Sequence, residues 1–398
     1  VTFLVFSWEP VAHPPAARGR DVTCRRFSSL LAAVAVGAVF LLYAALLRAQ
    51  GHPKLVIDED CRAFAIARDN SIVYAVPRIK RIKKLIIERD DISIANSRGQ
   101  TKRIVEAKKF MPIPPPAGYV VNSLVWSPDG HRIAVNMTLQ QPPPGYESKE
   151  DKKKHKDKEK DREDDAPRAS VGGGRAVALL DADGNEIRVP GSQTRFIENA
   201  TNATWLADGT VVYLKGAPFQ IVRVRPSDGI TRTLFEGHGF NAVVWDAPKN
   251  RAFAIGEDLT VRGGLALVEL DLLHQTVTKI AQIKDYRGSL SLSPAGKKIG
   301  FFEDGDTIEV IDIANPSKPL RVRAGWGTFQ WGRDERHILL KRGPERRSNI
   351  LVWVGLYDGS FVPALHDLRF HAFEIAPDGK SLAITEPGKR VLKVYPLQ

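Results

Sequence analysis

The sequence predicts an all-β protein: a seven-bladed β-propeller of four-stranded antiparallel blades, closed by an N-terminal strand and preceded by a signal or anchor helix. Three observations carry the prediction. A strand–turn–strand unit recurs seven times, and a second hairpin follows it in most copies. The two ends of the repeat region are also complementary, with a spare strand at the front and a missing strand at the back.

The unit is plainest in "LVWSPDGHRIAV" from Leu124, "NATWLADGTVVYL" from Asn202, "LSLSPAGKKIGFF" from Leu290 and "FEIAPDGKSLAIT" from Phe373. Aligned on the residue before the turn, the anchors are Ile66, Trp126, Trp205, Trp245, Leu292, Trp331 and Ile375. They lie 60, 79, 40, 47, 39 and 44 residues apart, and the two long gaps hold insertions. Alternating apolar residues make half-buried strands. Asp-Gly and Asn-rich turns supply the positive φ that tight hairpins need. The second hairpin shows in "NSRGQ" at Asn96, "DADGN" at Asp181, "PSDGI" at Pro226 and "LYDGS" at Leu356. Two hairpins give a four-stranded sheet, which buries both faces only by stacking on its neighbours around an axis.

The last copy ends in "RVLKVYPLQ" and lacks a fourth strand, while "PKLVID" from Pro53 has no turn partner. Lys54 to Ile57 is therefore expected to complete the last blade and remove an open sheet edge. The anchor tryptophans, recurring at one repeat position, read as packing between blades. Trp326 and Trp353 fall outside that register.

Residues 1–50 form a separate N-terminal region, and 53–398 the propeller. Leu30 to Leu47 is uncharged and apolar, with Arg25 and Arg26 before it. It reads as a signal peptide cut after Ala49, or as an uncleaved anchor nearly long enough to span a bilayer. Both place the propeller outside the cytoplasm, in the periplasm or beyond the cell. Translation is expected to begin at Val22. Of the two cysteines, Cys24 precedes the propeller and Cys61 stands alone within it.

One insertion, about residues 140–174, is a charged run fenced by prolines and glycines, too poor in apolar residues to order itself. It is expected between the second and third strands of blade two. The other, Pro77 to Asp91, mixes Arg78, Lys80, Arg81, Lys83 and Lys84 with isoleucines. It reads either as a basic strand extension or as a contact for an anionic membrane surface. The net charge of +12 is spread over many turns, so nucleic acid is not an expected partner.

The "SPDG" copies with their following apolar strands resemble the WD-like propeller repeats of the TolB family, and those of the propeller domains of dipeptidyl-peptidase relatives. The resemblance covers about Lys54 to Gln398. It implies fold, export and protein binding. TolB carries an α/β domain before its propeller that this sequence does not match, so partnership with the TolB system does not follow. No G-x-S-x-G motif occurs, so peptidase activity does not carry over.

No motif for a metal, nucleotide or catalytic triad appears, and no cofactor is expected. "DADGNE" at Asp181 and "EDGDTIE" at Glu303 look like parts of calcium loops but fall where the repeat requires turns. The expected function is a non-catalytic binding scaffold for an envelope or extracellular protein. Its contacts are expected among residues shortly before the anchors, at the channel mouth: Asn122, Asn202, His238, Asn241, Arg287, Thr328 and His371. The alternative is a hydrolase or lyase for a carbohydrate or lactone, with a channel metal held by His238, Asn241, His366 and His371.

Overall fold

The computed structural model describes residues 53–398 except 83–84, 108, 111–117, 141–173, 192–195, 217–218, 259, 343–349, 366–369, 387, 389 and 398. For residues 80–82, 85–86 and 238 it describes the backbone alone. The apolar segment Leu30 to Leu47, Val22, Cys24, nearly all of the charged insertion and His366 lie outside the described residues.

The described residues form seven four-stranded antiparallel sheets. Strand β1 (Leu55–Ile57) comes first. Blade 1 holds β2 (Ala63–Ile66), β3 (Ile72–Ile82), β4 (Leu85–Ala95) and β5 (Thr101–Val105). Blade 2 holds β6 (Gly118–Trp126), β7 (Arg132–Gln140), β8 (Arg175–Asp181) and β9 (Ile197–Glu198). Blade 3 holds β10 (Ala200–Trp205), β11 (Val211–Lys215), β12 (Phe219–Val224) and β13 (Thr231–Phe240). Blade 4 holds β14 (Ala242–Asp246), β15 (Arg251–Glu257), β16 (Leu265–Asp271) and β17 (Thr276–Ile283). Blade 5 holds β18 (Gly288–Leu292), β19 (Lys298–Phe302), β20 (Thr307–Asp312) and β21 (Leu320–Arg323). Blade 6 holds β22 (Gly327–Trp331), β23 (His337–Arg342), β24 (Ile350–Gly355) and β25 (Phe361–Leu365). Blade 7 holds β26 (Ala372–Ile375), β27 (Ser381–Thr385) and β28 (Leu392–Pro396), and β1 is its fourth strand, with Leu55 opposite Val394.

The core lies between the blades, as the one-sheet argument requires. Separate apolar clusters join blades 1 and 2, 2 and 3, 3 and 4, 4 and 5, 5 and 6, 6 and 7, and finally 7 and 1. The last of these packs Ile66, Tyr74 and Ala95 against Ala376, Ala383 and Leu392. A sheet that is apolar on both faces is thus covered on both faces, and the seven gaps complete a ring.

Each anchor but Trp245, which is one residue short of the end of β14, ends an inner strand, and several lead into turns built by their own side chains. In "SPDGH", the Asp129 carboxylate accepts the His131 N–H at 3.0 Å and the Ser127 hydroxyl. Gly130 takes φ +74° and donates its N–H to the Ser127 carbonyl at 2.9 Å. Asp181 is consumed in the same way, accepting from the N–H groups of Asp183 and Asn185 and from the Asn185 amide. "EDGDTIE" is the turn between β19 and β20, where Asp304 accepts the N–H groups of Asp306 and Thr307.

The charged insertion falls between β7 and β8, the second and third strands of blade 2. The basic insertion lengthens β3 and β4 to 11 residues each, paired as far as Ile82 opposite Leu85. Blade 2 departs from the regular plan. After the Asp181 turn its chain makes one bridge, Leu180 to Glu186, and returns only at the two-residue β9. Trp326 lies in the link from β21 to β22, its ring 5.4 Å from that of Phe302, and Trp353 lies in β24.

Candidate functional site

Inner strands β2, β6, β10, β14, β18, β22 and β26 surround the channel. Their anchors mark one end, and their starts mark the other. A cavity of about 420 Å³ opens at the anchor end, walled by parts of blades 1, 2, 3, 4 and 7. Trp126 and Trp205 supply its aromatic wall, and Pro128, Pro248 and Pro377 come from the turns. Arg68 and Glu374 are its only charged side chains among the described lining residues.

The tryptophans do two jobs. Trp126 donates its indole N–H to the Ala65 carbonyl of the preceding blade at 3.1 Å. Trp245 does so to Asn202 at 2.8 Å, and Trp331 to Ser291 at 3.3 Å. These bonds turn an apolar spacer into a directional tie between blades, which suits a ring with one polar atom. Trp205 differs. Arg132 covers its ring at 4.5 Å, and its buried N–H finds no acceptor among the described residues.

Other ties run forward, from one blade to the next. The Asn202 amide donates to the Val243 carbonyl at 3.1 Å. The Gln330 amide brackets β26, donating to Phe373 at 3.1 Å and accepting from the Ile375 N–H at 2.8 Å. Asn136 of β7 brackets Ala203 of β10, accepting at 2.8 Å and donating at 3.4 Å. Glu374 accepts the Ile66 N–H at 3.2 Å through Oε1.

Glu374 sets the electrostatics of the cavity. It lies deep in the ring but keeps a partly open face on the cavity. Burial disfavours its charged form, the Ile66 N–H opposes that only in part, and its pKa is pushed up to about 8. Near pH 7 the carboxyl is therefore mostly neutral. The described lining contains no histidine, cysteine or aspartate beside it. Such a wall offers a neutral hydrogen-bonding acid in apolar surroundings rather than an acid–base pair.

None of the seven residues singled out from sequence is among the described lining of this cavity. Asn122 lies at a bulge in β6 and donates to Thr138 Oγ1 at 2.8 Å. Asn202 lies at a bulge in β10 with φ +51°. Asn241 is exposed just before β14, and Thr328 is exposed in β22. Arg287 pairs with Asp285 at 2.9 Å. His371, exposed before β26, accepts the Lys341 ammonium on its carbonyl at 2.7 Å. His238 lies in β13, and its side chain is outside the description. Of the four proposed metal ligands, only Asn241 and His371 have described side chains. Among the described residues no three His, Cys, Asp or Glu side chains gather as a metal set.

Glu374 is the residue that reading the sequence missed. The position before each anchor holds Ala65, Val125, Thr204, Val244, Ser291, Gln330 and Glu374. A single ionisable residue in that series was a signal in plain view.

No protein-family model matches the chain, and no curated protein matches it. Among solved structures it is similar to the β-propeller domain of Cps50 (Swd1) from Myceliophteria thermophila, at 13% identity and a TM-score of 0.54. That match covers 86% of this chain and 98% of the other. It is also similar to TolB from Acinetobacter baumannii at 13% identity and a TM-score of 0.42, over 82% of this chain and 80% of that one. The resemblance of the repeats to propeller repeats holds at the level of fold: the described residues form a seven-bladed propeller.

Proposed function

We propose that the chain is an exported, non-catalytic propeller scaffold that binds a protein partner in the cell envelope, and that this partner seats over the cavity at the anchor end. The observation that carries the reading is the chemistry of that cavity. An apolar hollow of about 420 Å³, rimmed by polar turns on rigid sheets, holds one neutral acid and one cation. Such a recess suits apolar side chains inserted from a partner, with a polar rim to fix orientation. The seven polar residues singled out from sequence are then further contacts for the assembly.

Envelope placement is supported by the apolar segment Leu30 to Leu47 behind its arginine pair. The N-terminal strand closes the ring in this reading, which the pairing of β1 with β28 supports. Contact with an anionic membrane is supported by the length of the β3–β4 hairpin and by exposed Arg78 and Ile79 on it.

The test is site-specific photo-crosslinking of the full chain in cells. A photoreactive residue at position 68 is expected to give a discrete protein adduct, and one at exposed Lys318, remote from the cavity lining, none. Discrete adducts from position 318 with none from position 68 would refute the placement.

A further inference from the structure

Blades 6, 7 and 1 share one register at their inner strands. Gly332, Ala376 and Ala67 follow the three anchors, and each donates its N–H across its turn, to His337, Ser381 and Ser71. At the strand starts of blades 7 and 1, His371 bonds Thr385 as Arg62 bonds Ala75. Ala372 faces Thr385 as Ala63 faces Ala75. Gln330 and Glu374 are therefore equivalent, each one residue before an anchor. Phe64 and Phe373 are equivalent as well, each two residues before one.

Gln330 spans its seam with two bonds. Its oxygen accepts from Ile375, the anchor of the next blade, and its nitrogen donates to Phe373. Glu374 makes the first of these bonds, accepting from Ile66. The counterpart of the second acceptor is the Phe64 carbonyl. An ionised carboxylate has no donor for it, and a protonated one has a single donor.

We propose that Glu374 works as a protonated stand-in for glutamine at the seam between blades 7 and 1, its Oε2–H donating to the Phe64 carbonyl, so that losing the proton weakens the joint that holds the ring shut. That seam lies between the inner strands β26 and β2, and blade 7 on one side of it takes β1 as its outermost strand, paired with β28.

The surroundings favour the neutral form. Strands β2, β22 and β27 and the anchor ends of β6 and β10 carry no ionisable side chain. The charged and titratable groups of the adjoining turns are Arg68 and Asp69 in blade 1, Asp129 and His131 in blade 2, Asp208 in blade 3, Arg333, Asp334, Glu335 and Arg336 in blade 6, and Asp378 and Lys380 in blade 7. None of them moves the Glu374 carboxyl, which responds to burial and to the Ile66 N–H alone. Its folded-state value lies above its ordinary 4.5, so the folded state holds a proton that the unfolded chain releases. Stability from this group is complete below about pH 4.5 and is lost as pH rises to about 8.

The experiment is urea unfolding of the full chain from pH 5 to pH 9, comparing wild type with Glu374→Gln. The two are expected to match at pH 5. Above that, the unfolding constant of the wild type is expected to rise by up to about tenfold per pH unit relative to the variant, levelling near pH 8. Gln330→Glu is expected to carry the same pH dependence to the seam between blades 6 and 7. A difference between wild type and Glu374→Gln that does not change with pH overturns the proposal. Infrared spectra of the wild type decide the matter should a variant not fold. A carboxylic-acid band that disappears between pH 6 and pH 9 supports the proposal, and its absence at pH 6 overturns it.

Discussion

Asn136 gives the sharpest test of how the inner strands are held. It is 4% exposed in β7, and its amide accepts the Ala203 N–H and donates to the Ala203 carbonyl. Ala203 lies in the bulge of β10, where the register slips between Thr201 and Thr204 and Asn202 takes φ +51°. A bulge removes backbone groups from the ladder. Here the side chain of a neighbouring blade satisfies them. Asn136→Ala leaves a buried N–H and a buried carbonyl without partners at a residue 1% exposed. Each orphaned group costs about 1–3 kcal/mol, so a loss of about 2–4 kcal/mol is expected. For a propeller of about 340 residues the unfolding entropy is near 0.7 kcal/mol per kelvin, which makes the loss about 3–6 °C in Tm. Urea unfolding and calorimetry both measure it. Asn136→Asp keeps the shape and the acceptor, and has a donor only while its carboxyl is protonated. Its carboxyl must stay protonated to remain buried, so its stability should fall as pH rises above the ordinary carboxylate range. A cost below about 0.5 kcal/mol for Asn136→Ala, with an Asn136→Asp variant insensitive to pH, would refute the reasoning.

Trp331→Phe is expected to cost about 1 kcal/mol more than Trp205→Phe by urea unfolding. The first loses a bond to Ser291, while the Trp205 N–H has no acceptor among the described residues. Gly327→Ala should prevent folding or cost several kcal/mol, since a Cβ there would stand 1.8 Å from the Lys341 carbonyl within the β22–β23 ladder. Circular dichroism and gel filtration check it. Cys61 is fully buried, and burial pushes its thiol well up, with Asp60 adding to the effect. Alkylation at pH 8 should therefore be at least tenfold slower in the folded chain than in urea, as followed by mass spectrometry.

The ring was legible because its causes are local. Strand alternation and Asp-Gly turns follow from residues a few positions apart, and the recurrence of that local unit at seven anchors counts the blades. The expectation that the two ends are complementary has the same local basis, since "PKLVID" and "RVLKVYPLQ" are unpaired in any local scheme. The cavity was not legible. Its room lies where small and bent residues such as Ala65, Ala67 and Pro377 meet. Volume of that kind is a sum over five blades, and no single copy of the repeat contains it. The bulges at Asn122 and Asn202 were hidden because they depend on cross-strand register. Blade 2 has the four strands expected, but its fourth, Ile197–Glu198, pairs late, after Pro190 and Gly191.

The ties that inner strands receive from neighbouring blades end on main-chain atoms: the carbonyls of Ala65, Asn202, Ala203, Ser291, Val243 and Phe373, and the N–H groups of Ile66, Ala203 and Ile375. Every amino acid but proline carries both groups. One module can therefore drift, or be grafted from another position, without a matching change in its neighbour. Freedom of that sort explains how seven copies came to share so few letters and still lock together.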